Sequence, residues 1–245
     1  MDRDLTILEH LDELRKRIII VLISLLVTTV LSLPFAGSVL RILKLPAAGV
    51  LGKLVVFKPQ DAFLIYMRIS FLAGFVLALP VILYQFWAFF APAIERRFRK
   101  YLVYFIISGS AAFALGCAFS YYILLPKALT FLLSFGVDEL EPVIAADSYI
   151  SFVIGLIFCC GFIFQMPIFS FILTKVGLIN AGMLRKKFGI AIVAIFVVAA
   201  VITPTTDVFN MMALAIPMLF LYEISIWMSA VTGRLRASAH EPAGI

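Results

Sequence analysis

The residues best placed to do chemistry lie in "HLDELRKR", His10 to Arg17, directly before the almost wholly apolar "IIIVLISLLVTTVLSLPF". Lys and Arg alone would anchor a membrane entry, so Asp12 and Glu13, with Glu9 a turn earlier, need another explanation. A carboxylate matches a guanidinium through a planar, two-pronged pair of hydrogen bonds. A carboxylate cluster at the headgroup level therefore suits capture of a cationic, arginine-bearing partner. A plainer account fits the same residues. Asp12–Lys16 and Glu13–Arg17 stand four apart in the favourable order, and Ile7, Leu11, Leu14 and Ile18 form one helical stripe. The segment also reads as a self-paired amphipathic lead-in, and pattern alone leaves both open.

Polar side chains at membrane depth are functional candidates by default. Gln165 lies in "GFIFQMPIF" and is followed by Pro167, which removes a backbone donor and frees a carbonyl for Gln165 or water. Gluing two helices is its plainer role. Glu223, in "FLYEISIW", serves equally as an interfacial anchor, and Arg68 suits snorkelling. Asp207, after "ITPTT", has the chemistry of a helix N-cap. The only histidines are His10 and His240, and there is no nucleophile–base set, HExxH, P-loop or GxGxxG. Cys117, Cys159 and Cys160 lack metal or CxxC spacing and read as small apolar filler. No enzyme activity, cofactor or metal is expected.

The elements that must hold these residues are membrane spans. Of 245 residues, 64% are hydrophobic and 14% charged, against about 25% charged in a soluble domain. A spanning helix needs roughly 17–25 apolar residues. The apolar runs predict six, at roughly 18–36, 68–90, 101–125, 149–174, 188–203 and 208–228. A cytoplasmic arm (1–17) and tail (229–245) complete one domain, with no internal repeat. Acids flanking the first span, and its length, argue against a cleaved signal peptide.

Lys and Arg concentrate on the cytoplasmic face of membrane proteins. They cluster in the arm, between spans two and three (Arg96, Arg97, Arg99, Lys100), between spans four and five (Lys175, Arg185, Lys186, Lys187), and after span six. Only the first outer loop, with Arg41, Lys44, Lys53 and Lys58, dissents. Both termini are therefore cytoplasmic, and the net charge of +6 reflects topology rather than nucleic-acid binding. "SVLRILKL" and "ALTFLLSF" are too short to span and suit the interface, punctuated by Pro46, Pro59 and Pro126. Spans five and six look short, about 24 Å for 188–203 against a hydrocarbon core of about 30 Å. Ser108, Ala112 and Gly116 form a small-residue stripe that permits close helix approach.

Nearly the whole chain resembles the TatC family, the C subunit of the twin-arginine protein translocase. The resemblance rests on "HLDELRKR", "PQDAFLIYMRIS", "LPVILYQFWAFFAPAI", "FQMP", "LRKKFGIAIVAIFVVAAVITP" and "DVFNMMALAIPMLFLYE", in the family's order and spacing. It implies a cup-shaped bundle of six helices in the bacterial inner membrane. That bundle binds twin-arginine signal peptides of folded cargo. With single-span TatA- and TatB-type subunits, and by self-association in a multimeric receptor, it moves cargo using the proton-motive force. By the same resemblance Glu13 contacts the paired arginines and Arg15 supports the arm. Pro80, Phe89 and Pro92 shape the first cytoplasmic loop and its approach, Gln165 faces the interior, and Asp207 lies near the outer rim. There are departures. The family's loop acid, about six positions beyond the proline matching Pro92, falls at Phe98, so Glu95 takes that role only across a three-residue deletion. Gln165 stands where many relatives carry Glu, which argues against obligatory protonation there. The turn before Asp207 is a residue longer than in many relatives. A secondary transporter of a small solute is the alternative, but it would show repeated halves and several midplane ionisable groups.

Overall fold

The computed structural model describes residues 7–47, 54–90, 102–133, 143–202 and 208–240. Among these the secondary structure is helical, apart from connecting segments and one isolated parallel bridge between Val55 and Ala145. The helices are α1 (Ile7–Ser32), α2 (Ala36–Lys44), α3 (Pro59–Phe90), α4 (Leu102–Phe119), α5 (Leu125–Leu133), α6 (Ala146–Ile163), α7 (Met166–Val176), α8 (Ala181–Lys186), α9 (Phe188–Ile202) and α10 (Val208–His240). Five stretches are long and apolar enough to cross a membrane: Leu11–Lys44, Pro59–Phe89, Leu102–Leu132, Ala146–Val176 and Met211–Gly233. The shorter apolar α9 makes a sixth. The chain is thus an all-α, multi-pass membrane protein.

Proline decides where these stretches bend. Pro34 sits in a 3-10 turn, Leu33–Phe35, that joins α1 to α2. Pro126 lies in the first turn of α5, just after a π-helical turn at Ser120–Leu124. A widened turn absorbs a residue that cannot donate to the carbonyl before it. So "ALTFLLSF" begins within a continuation of span three rather than in a separate loop element. Pro167 occupies the first turn of α7, after a break at Phe164–Gln165, where the missing N–H costs nothing. Among the described residues, Pro80 and Pro217 are the prolines in helix interiors, in α3 and α10. The described α9 has 15 residues, about 22 Å. α10 has 33 residues, because Glu223 interrupts hydropathy but not helicity. The shortness expected of span six is therefore not a shortness of its helix.

The chain divides into two compact units: Met1–Leu40 with Tyr66–Ser110, and Arg41–Ile65 with Ala111–Ile245. In the first unit α1 lies against α3, with the Thr28 hydroxyl 2.8 Å from the Gly74 carbonyl oxygen. A Cβ on Gly74 would stand 2.6 Å from the Thr29 backbone, so glycine is what permits this approach. Trp87, buried in α3, meets Phe105 of α4 with ring centroids 5.0 Å apart. The rest of α1 is open. Only 6% of its most apolar window is buried within the chain.

The second unit holds a denser core. Phe113, Ile150, Val153, Ile172 and Leu214 are fully buried. Gly116 abuts the Cys160 backbone of α6, where a Cβ would meet the carbonyl oxygen at 2.5 Å. Of the expected small-residue stripe, Gly116 alone is buried. α10 packs along α7, and a buried hydrogen bond of 2.8 Å joins Thr174 to Ser229. The Tyr121 and Tyr149 hydroxyls each donate at 2.8 Å to the last-turn carbonyls of α2, at Ile42 and Leu43. Those carbonyls have no partner within the helix, so the tyrosines cap it.

Candidate functional site at the cytoplasmic arm

α1 begins before Leu11 and runs unbroken into span one, so the arm is the first part of the spanning helix. Helical spacing puts Glu13 and Arg17 on one face. Arg17 Nε donates to Glu13 Oε1 at 3.1 Å, and Arg17 Nη2 closes on the same oxygen. Arg17 Nη1 donates at 3.1 Å to Oε1 of Gln85 on α3. Gln85 is buried at 9% exposure, while the Arg17 and Glu13 side chains keep 22% and 25%. This is a partly desolvated, charge-assisted cluster, where hydrogen bonds to ionised groups are stronger than between neutral ones. Asp12, Arg15 and Lys16 are all exposed. The second i,i+4 pair, Asp12–Lys16, thus lies on the open side of the helix.

Beside the cluster lies a cavity of about 300 Å³, bordered by Leu14, Arg17, Ile18, Gln85, Phe86 and Phe89. Apart from Arg17 and Gln85 its walls are apolar. Phe89 is half-buried and Pro80 exposed on α3. Pro92 and Glu95 lie outside the described residues, as does Asp207.

The remaining expected positions belong to the second unit. Pro46 sits in a 3-10 turn, Leu45–Ala47, after α2. Gln165 is buried at 3% exposure in the break between α6 and α7, where its backbone carbonyl accepts from Ile168 and Phe169, each at 3.0 Å. Glu223 is exposed and accepts from Arg185 Nη2 at 3.2 Å. A second cavity, about 380 Å³, is bordered by Arg185, Glu223, Ile226 and Trp227. The α7–α8 connection is held by its ends. Gly177, at φ 90°, closes α7 in the left-handed region that favours glycine, and Asn180 caps α8 by accepting from the Met183 N–H at 2.8 Å. The Tyr222 hydroxyl then ties the Leu184 carbonyl to α10 at 2.9 Å.

Sequence reasoning missed two residues here. Gln85 is uncharged and meets Arg17 across 68 positions, but a lone amide at the end of an apolar helix is a readable signal. Lys175, expected only to flank the loop after span four, is 8% exposed and holds its ammonium 5.8 Å from the Phe171 ring centroid, in the range of a cation–π contact.

Residues 9–217 match the family model described as Sec-independent protein translocase protein (TatC). The chain belongs to the TatC family. It is 39% identical over 230 residues to the Sec-independent protein translocase protein TatC of Aquifex aeolicus, covering 92% of this chain and 95% of that one. With the protein of the same name from Carboxydothermus hydrogenoformans it shares 34% over 228 residues, 93% and 94% of the two chains. A crystal structure of the twin arginine translocase receptor TatC superposes with a TM-score of 0.80 at 38% identity, over 91% of this chain and 99% of that one. TatC membership makes the chain a component of a protein translocase.

Proposed function

We propose that the chain is the receptor core of a twin-arginine translocase. It recognises the paired arginines of a signal peptide at Glu13, with Arg15, Phe89 and the loop that carries Pro92 and Glu95 completing the surface. One observation carries this reading: the Glu13 carboxylate already seats a guanidinium, that of Arg17, at the cytoplasmic end of span one. An acceptor that fits one arginine side chain fits another, because the recognition is the shape and charge of the guanidinium itself. Single-span TatA- and TatB-type subunits and further copies of the chain assemble around it in a bacterial inner membrane, and the proton-motive force drives transport.

Deletion of the gene, with cell fractionation of a folded cargo bearing a twin-arginine signal peptide, tests the function. The reading expects cargo to stay in the cytoplasm and export to return with the wild-type gene. Normal export without the gene would overturn it. Glu95→Gln on the complementing copy tests the shifted loop acid: export falls if Glu95 takes part, and full export moves recognition elsewhere in that loop.

A further inference from the structure

We infer that Arg17 is a built-in competitor for the Glu13 carboxylate, so that a signal-peptide arginine binds by displacing a side chain of the receptor itself. The inference rests on the reading that Glu13 receives the peptide's arginine. Three features support it. First, two of the three Arg17 guanidinium nitrogens, Nε and Nη2, converge on one carboxylate oxygen, Oε1, instead of spreading across the two. An arginine arriving from outside the helix is free of the i,i+4 tether and can lie in the carboxylate plane, using both oxygens. That fork is the stronger arrangement. Second, Arg17 has an alternative holder. Its Nη1 already rests on the buried Gln85 amide oxygen, so displacement from Glu13 does not strip the guanidinium of every partner. Third, Arg17 and Gln85 border the cavity that extends along α1 and α3, which leaves room for the displaced side chain to move.

The consequence is a threshold. A site that is filled most of the time lowers the apparent affinity of every external ligand by the fraction of time it stands open. Arginine-pair and lysine-pair peptides are weakened by the same factor, so the ratio between them is unchanged. Chance contacts with cationic segments of other proteins fall below the useful range, while a well-matched arginine pair stays within it.

The test is fluorescence-anisotropy titration of a labelled twin-arginine peptide, and of its twin-lysine counterpart, against the purified full-length protein. Arg17→Gln should tighten both peptides about fivefold, the scale expected for a part-exposed ion pair. Arg17→Lys, which keeps the charge and loses the two-nitrogen contact on Oε1, should tighten them by a smaller factor. Lys16→Gln removes one positive charge from the same turn and sets the general electrostatic contribution, which Arg17→Gln must exceed. In a Glu13→Gln background, Arg17→Gln should bring no tightening, because nothing is left to compete for. Elution volume and thermal unfolding check that each variant is folded. Weaker or unchanged binding in Arg17→Gln overturns the competitor role, and so does a tightening that persists without Glu13. If Glu13→Gln alone leaves binding unchanged, the receptor reading falls as well, and that result is distinct from the others.

Discussion

Among the described residues two arginine–glutamate pairs, one in each compact unit, differ in nearly every physical respect. Glu13–Arg17 is local in sequence, three-quarters buried, and braced by a buried amide from another helix. Glu223–Arg185 joins positions 38 apart, with 48% and 69% of the side chains exposed. A pair of the second kind gains little, since water screens it and two long side chains lose rotamer freedom. A pair of the first kind is partly desolvated and has a fixed direction. How firmly a charged residue is held thus depends on what stands behind it. Glu13 has Gln85 and α3; Glu223 has the solvent.

That contrast can be broken most severely from the scaffold. Gly74→Leu places side-chain atoms where the Thr29 backbone already lies, forcing α1 away from α3 and Arg17 away from Gln85. A loss of roughly 3 kcal/mol is expected, with peptide binding abolished, read by denaturant unfolding in detergent and by titration. Gly189→Leu is the control, since a Cβ there meets open space, and its stability should change by less than about 0.5 kcal/mol. A smaller effect tests the second pair. Glu223→Gln should cost at most about 1 kcal/mol of unfolding free energy. The smallest tests its screening: the difference between Glu223→Gln and wild type should shrink towards zero between about 0.05 and 0.5 M salt. A salt-independent cost above 2 kcal/mol would mean that Glu223 is held more firmly than its exposure implies.

Much of this was legible in the sequence because charge is legible. The arm announced itself as acids beside bases at a membrane entry, and the i,i+4 spacing of Glu13 and Arg17 predicted the bond that forms. What pattern could not supply was the third partner. Gln85 carries no charge, and its meeting with Arg17 depends on Gly74 letting two helices close, a tertiary fact. The uncharged run before Glu223 is shorter than the last helix, because Glu223 ends an apolar run while remaining a good helix former. Around Gln165, proline signalled a disturbance correctly but not its form. The helix breaks and restarts, with Pro167 in the new first turn instead of bending a continuous rod. Charge alone marks Lys175 as flanking the loop after span four and does not show that it is nearly covered, since α10 packs along α7 at that level.

The central claim is that Glu13, and not merely negative charge on the cytoplasmic face, receives the peptide's arginines. It is tested most directly by titrating one labelled twin-arginine peptide against wild type, Glu13→Gln and Glu223→Gln at one ionic strength. Each variant removes one negative charge and keeps the side chain's size. Glu13→Gln should weaken binding at least about tenfold, as expected when a charge-assisted hydrogen-bond acceptor is lost. Glu223→Gln should stay within about twofold of wild type. Equal effects of the two substitutions, or an undiminished affinity in Glu13→Gln, would contradict the account.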